Sequence, residues 1–113
     1  MSYPQALVPT SVSVAPTQTT LATFDTATTS ILTVQVSNSD VSQTLDCTIW
    51  RRANPLVDFA ATTMPDLLGI AAGGTACVDI DCGGNVEVRV TGVASGAGLT
   101  AVVCGRDRPR GRS

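Results

Sequence analysis

The residues able to do chemistry are few: four cysteines, a pair of aspartates two positions apart, and arginines clustered at residues 51–52 and at the C-terminal end. Cys47, Cys77, Cys82 and Cys104 are separated by 30, 5 and 22 residues. Zinc sites built from four cysteines use close Cys-x-x-Cys knuckles, so this spacing argues against one. Cys77 and Cys82 lie in one alternating segment. Five extended residues separate their Cα atoms by roughly 16 Å, beyond the roughly 7 Å limit for a disulfide, and their parity puts them on opposite faces. Reduced thiols are the expectation, and a bridge within or between subunits is the alternative.

Asp79 and Asp81, followed by Gly83 and Asn85, have some of the oxygen donors of a calcium loop. The third ligand position holds Gly83, however, and no glutamate follows at the required distance. As alternate residues of a strand, both carboxylates point outward to solvent. They also lack the contrasting environments that would split an acid from a base. The chain contains neither histidine nor lysine. Ser-His-Asp and Cys-His centres, histidine-ligated metals and Schiff-base lysines are thereby excluded within it. No enzyme activity, metal or cofactor is expected.

Arginine offers a planar fork that suits carboxylates and phosphates equally. Arg106, Arg108, Arg110 and Arg112 fall within the last eight residues, RDRPRGRS. No basic face or aromatic stacking set accompanies them, so nucleic acid is not the expected partner and a docking or solvated tail is the simpler reading. Trp50, Arg51 and Arg52 form a second group. Trp50 shares parity with Asp46 and Thr48 rather than with the core, which makes it a candidate interface anchor.

The elements that must position these residues are strands. Sixteen threonines and fourteen valines dominate 113 residues, and β-branched side chains fit a pleated sheet better than a helix. Period-two alternation marks strands near 11–14, 21–24, 31–36, 45–50, 77–82, 86–91 and 99–104. The first two are expected to pair, and the third and fourth to form a hairpin across the polar stretch 37–43. Residues 53–74, broken by Asn54-Pro55, Met64-Pro65 and Gly73-Gly74, read as a long connection with a short helical turn after Pro65. About seven strands with regular turn signals predict an all-β, two-sheet antiparallel sandwich, immunoglobulin-like or jelly-roll. The expected organisation is an extended N-terminal arm over residues 1–10, a sandwich domain over 11–105 and a basic tail over 106–113. Tyr3 and Pro4 of the arm join Trp50, Arg51, Arg52, Arg106, Arg108 and Arg110 as candidate interface residues.

A net charge of −2 points to neither a nucleic-acid binder nor an acidic tail. Prolines at 4, 9 and 16 interrupt the first twenty residues, so no secretion signal is expected, and no apolar run is long enough for a membrane helix.

The segment Ile70-Ala71-Ala72-Gly73-Gly74-Thr75-Ala76-Cys77-Val78-Asp79-Ile80-Asp81-Cys82-Gly83-Gly84-Asn85-Val86-Glu87-Val88-Arg89-Val90-Thr91 resembles small β-sandwich proteins of tailed bacteriophage virions. Their recurring phrase is an apolar residue, AGG, threonine, an alternating strand, a glycine turn and V-x-V-R-V-T. The resemblance implies a capsid decoration or cement protein at the virion surface, assembled in the host cytoplasm and bound to the major capsid protein or another virion protein. A homo-oligomer, with a trimer favoured, is the implied state. No catalytic motif comes with the resemblance, and the four cysteines depart from it. The alternative expectation is a tail or fibre adaptor, or an adhesive ligand-binding sandwich.

Overall fold

The computed structural model describes residues 9–109, so Tyr3, Pro4 and Arg110 lie outside the described residues. Eight strands follow one another: β1 (Thr10–Val14), β2 (Thr19–Asp25), β3 (Thr29–Asn38), β4 (Leu45–Arg52), β5 (Ala60–Thr62), β6 (Thr75–Asp81), β7 (Glu87–Ala94) and β8 (Leu99–Pro109). They form two antiparallel four-stranded sheets, in the orders β1-β8-β3-β6 and β2-β7-β4-β5. A single 3-10 turn, Pro65–Leu67, is the only helical element among the described residues.

Alternation explains each strand. In β3, Leu32, Val34 and Val36 are buried, while Thr33 and Gln35 face the other way. In β4 the buried set is Leu45, Cys47 and Ile49. These residues join Val78, Ile80, Val88, Val90, Leu99 and Ala101 in one core between the sheets. Each aliphatic side chain so buried stabilises the fold by about 1.5–3 kcal/mol before entropy is counted. Gly105 faces Phe24 across this core, where a Cβ would lie 2.8 Å from Cζ and closer still to Cε1. Glycine at 105 is therefore what lets the Phe24 ring pack close against β8.

The sequence-based expectation differs from the fold in pairing more than in the strands themselves. The strands expected at 11–14 and 21–24 do not pair, because β1 pairs β8 and β2 pairs β7. Nor do β3 and β4 form a hairpin, since they belong to opposite sheets. Of the consecutive strands, β4 and β5 alone are hydrogen-bonded neighbours, and the other connections cross from sheet to sheet. Alternation tells a strand which face to bury and says nothing about its partner.

The count of seven is corrected to eight by β5. It is a three-residue edge strand held through Ile49↔Thr62, Trp50↔Ala61 and Arg51↔Ala60, and it is too short to show a period. The last strand also continues past Cys104. Arg106 pairs with Thr33 and Arg108 with Ile31 of β3, so residues 106–109 are strand and not tail.

Candidate interaction surfaces on the two sheets

The outer face of the β2-β7-β4-β5 sheet carries Trp50 and Arg52. Trp50 is half-buried, and its indole N–H donates to the Thr91 hydroxyl at 2.7 Å. Thr91 alternates with the buried Val88 and Val90 and so lies on the outer face, yet it is only 2% exposed. The reason is a diagonal cross-strand contact: β4 and β7 pair Thr48 with Thr91 and Trp50 with Arg89, which lets the long indole reach one step sideways. Trp50 is therefore hydrogen-bonded to its own sheet while part of its ring stays exposed on the outer face.

Arg52 donates to the Glu87 carboxylate through Nε at 2.8 Å and also through Nη2. Its guanidinium carbon lies 4.5 Å from the centroid of the Phe59 ring, and that of Arg89 lies 4.3 Å from the same centroid. Two cations on one ring are tolerated because the ring's faces carry negative potential and Glu87 offsets one charge. Beyond this cluster the loop after β4 presents Leu56, 93% exposed, and Val57. Arg51 is not part of this face. It lies at the end of the sandwich, where Nη1 donates to the Asp81 carbonyl at 2.9 Å.

The outer face of the β1-β8-β3-β6 sheet is ordered in rows across β3. Asp81, Ile31 and Arg108 form one row; Asp79, Thr33 and Arg106 the next; Cys77, Gln35 and Cys104 the third. The Thr33 hydroxyl donates to Asp79 at 2.6 Å. Arg106 and Arg108, both exposed, flank a shallow depression of about 260 Å³ with Ile31, Thr33 and Asp107.

Among the described residues all four cysteines are thiols. Cys47 and Cys82 are fully buried, whereas Cys77 is exposed and Cys104 half-buried on the row just described. Burial, with a smaller contribution from the neighbouring Asp46 charge, pushes the Cys47 thiol up to about 12. Among the described residues no cluster of three or more acidic, cysteine or histidine side chains is placed to hold a metal ion, and no helix is long and apolar enough to cross a membrane.

The candidate residues thus divide between two opposite faces and one end of the sandwich. Sequence reasoning missed Phe59, Glu87 and Arg89 as members of the Arg52 cluster. Glu87 and Arg89 alternate with the buried Val88 and Val90, a signal that could have placed them on the outer face, but Phe59 lies in an irregular loop where no period operates. Compared with known protein families and with curated proteins, the chain gives no significant match.

Proposed function

We propose that this protein is a structural component of a virion, specifically a capsid decoration protein with a jelly-roll fold that stabilises the head by binding between capsid subunits. The observation that carries the reading is the strand pairing. β1 pairs β8, β2 pairs β7, β3 pairs β6 and β4 pairs β5, as in one long antiparallel ribbon. Rolling that ribbon adds the pairs β3–β8 and β4–β7 and yields the two sheet orders of a jelly roll, an architecture used by viral capsid domains. An immunoglobulin-like topology does not pair its strands this way. Fold alone does not decide function. The phage-like phrase over residues 70–91 and the want of histidine and lysine for chemistry tip the reading toward assembly.

In this role the protein acts through buried contact area. Its arginines, the exposed Leu56 and Val57, and the N-terminal residues 1–8 contact neighbouring virion proteins, and neither nucleic acid nor membrane is a partner. Co-sedimentation with decoration-free heads of the source phage tests this. Saturable binding that is lost on removal of residues 1–8 is expected, and no binding of the full chain would overturn the proposal. Jelly rolls also occur in lectin domains, so an adhesive module is the second reading. It is weaker because the sole tryptophan is half-buried and already hydrogen-bonded to Thr91. Trp50→Ala should leave head binding intact, whereas loss of glycan binding in that variant would favour the adhesive reading.

A further inference from the structure

We infer that the outer face of the β1-β8-β3-β6 sheet pairs with the same face of a second copy of this chain, about a two-fold axis running along β3. The argument lies in the three rows. β3 is flanked by β6 on one side and β8 on the other, each about 4.8 Å away. In every row the two flanking residues are complementary: Asp81 against Arg108, Asp79 against Arg106, Cys77 against Cys104. Half a turn about β3 leaves each row at its own height and exchanges the β6 side with the β8 side. Each aspartate then meets an arginine of the other copy, and each Cys77 meets a Cys104. Ile31, Thr33 and Gln35 meet their own symmetry mates on the axis.

Any other pairing of these two faces loses this match. A face-to-face pair turned about an axis perpendicular to the strands brings β6 over β6 and sets aspartates against aspartates, which is repulsive. The flanking groups are available for contact: Cys77, Asp79, Asp81, Arg106 and Arg108 are all exposed. Thr33 lies between Asp79 and Arg106, and the row beyond the cysteines holds Thr75 and Ser37, whose hydroxyls lie 3.0 Å apart within one copy; these small residues let the sheets approach. Sheets stacked this way have mean planes about 10 Å apart with strands offset by about 30°, and where small side chains face each other they approach closely enough for an inter-sheet disulfide, as in immunoglobulin domains. The long arginine side chains absorb the offset. The pair so formed leaves the opposite face, with its Arg52, Phe59 and Arg89 cluster, open to other partners. The inference stands whether or not the chain binds a capsid.

The cysteines make the geometry testable. Within one copy Cys77 and Cys104 are two strand spacings apart, about 10 Å, which exceeds the roughly 7 Å limit for a disulfide. A Cys77–Cys104 bridge therefore has to join two copies. Diamide supplies the oxidant: it accepts the two electrons and two protons of a thiol pair and is reduced to the hydrazine. Wild-type protein treated with diamide should give a covalent dimer whose linked peptides contain Cys77 and Cys104. Cys77→Ser and Cys104→Ser should each remain uncrosslinked, because 77 does not face 77 nor 104 face 104. An equal mixture of the two variants should crosslink again through one bridge.

Without oxidant, light scattering should give a dimer. Asp79→Arg and Arg106→Glu should each weaken it by at least about tenfold in dissociation constant, and the double variant Asp79→Arg/Arg106→Glu should restore it. Far-ultraviolet circular dichroism checks that each variant is folded. Crosslinking in either single cysteine variant, absence of the 77–104 link in wild type, no rescue by the charge swap, or a trimeric or monomeric mass would each overturn the inference.

Discussion

Replacing Asn38 by alanine removes three hydrogen bonds from one end of the sandwich. Its side-chain amide donates to the carbonyls of Gln43 at 2.8 Å and Ile70 at 3.0 Å, and its Oδ1 accepts from the Asp40 amide at 3.0 Å. Asn38 is 1% exposed, so the abandoned carbonyls would lose partners where water does not easily replace them. A loss of about 2–3 kcal/mol is expected in urea unfolding, and a change below 0.5 kcal/mol would contradict this role. Gly105→Ala is expected to cost about 1–3 kcal/mol by displacing the Phe24 ring.

Acid acts on the same loop. The backbone amides of Ser42 and then Gln43 hold Asp40 below the ordinary 3.8. A depressed folded value contributes stability that is present above the unfolded value and is lost as pH falls through the folded one. Asp40→Asn should therefore lose stability relative to wild type at pH 7 and lose less of it near pH 3. An equal difference at both pH values would contradict the assignment. Thiol reactivity follows exposure and ionisation together. A disulfide reagent should modify Cys77 first and Cys104 next, and Cys47 and Cys82 at the rate of unfolding.

At the scale of elements, alternation was enough to place most strands. Leu32-Thr33-Val34-Gln35-Val36 announces both a strand and its buried face, and the structure buries the three aliphatics as read. Cys77 and Cys82 were assigned to opposite faces by parity, and they are. Partnership was not legible. The glycines near 83–84 and 96–98 mark reversals of direction, and a reversal looks the same whether the chain stays in its sheet or crosses to the other. The reach of β8 was hidden for another reason. Arg106, Asp107 and Arg108 read as a charged tail, yet Asp107 accepts from the Thr29 hydroxyl at 3.2 Å and the strand continues to Pro109. Ending the chain after Gly105 should therefore destabilise the domain measurably, because it strips the β3 partners of Ile31, Leu32 and Thr33. Unchanged thermal unfolding of that truncation would show that residues 106–109 are only a tail. On the candidate site the sequence named Arg52, Arg106, Arg108 and the two surface cysteines. It could not assemble them into rows, because a row is set by the register between strands that are far apart in sequence.

For the whole molecule, the pairing of strands into two facing sheets explains why a chain with 4% aromatic residues holds a continuous core: β3, β4, β6, β7 and β8 each contribute two or three aliphatics, and Val14 of β1 with Leu21 and Phe24 of β2 complete it. It also explains why the chemically interesting residues lie on broad faces rather than in a cleft. Faces of this kind bind other faces, and copies related by symmetry gain area quickly. Electron cryomicroscopy of the virions proposed to carry this protein tests the proposed role most directly. The expected result is an eight-stranded jelly roll repeated over the head lattice and bridging neighbouring capsid subunits. A head without such density, or density confined to the tail, would contradict it.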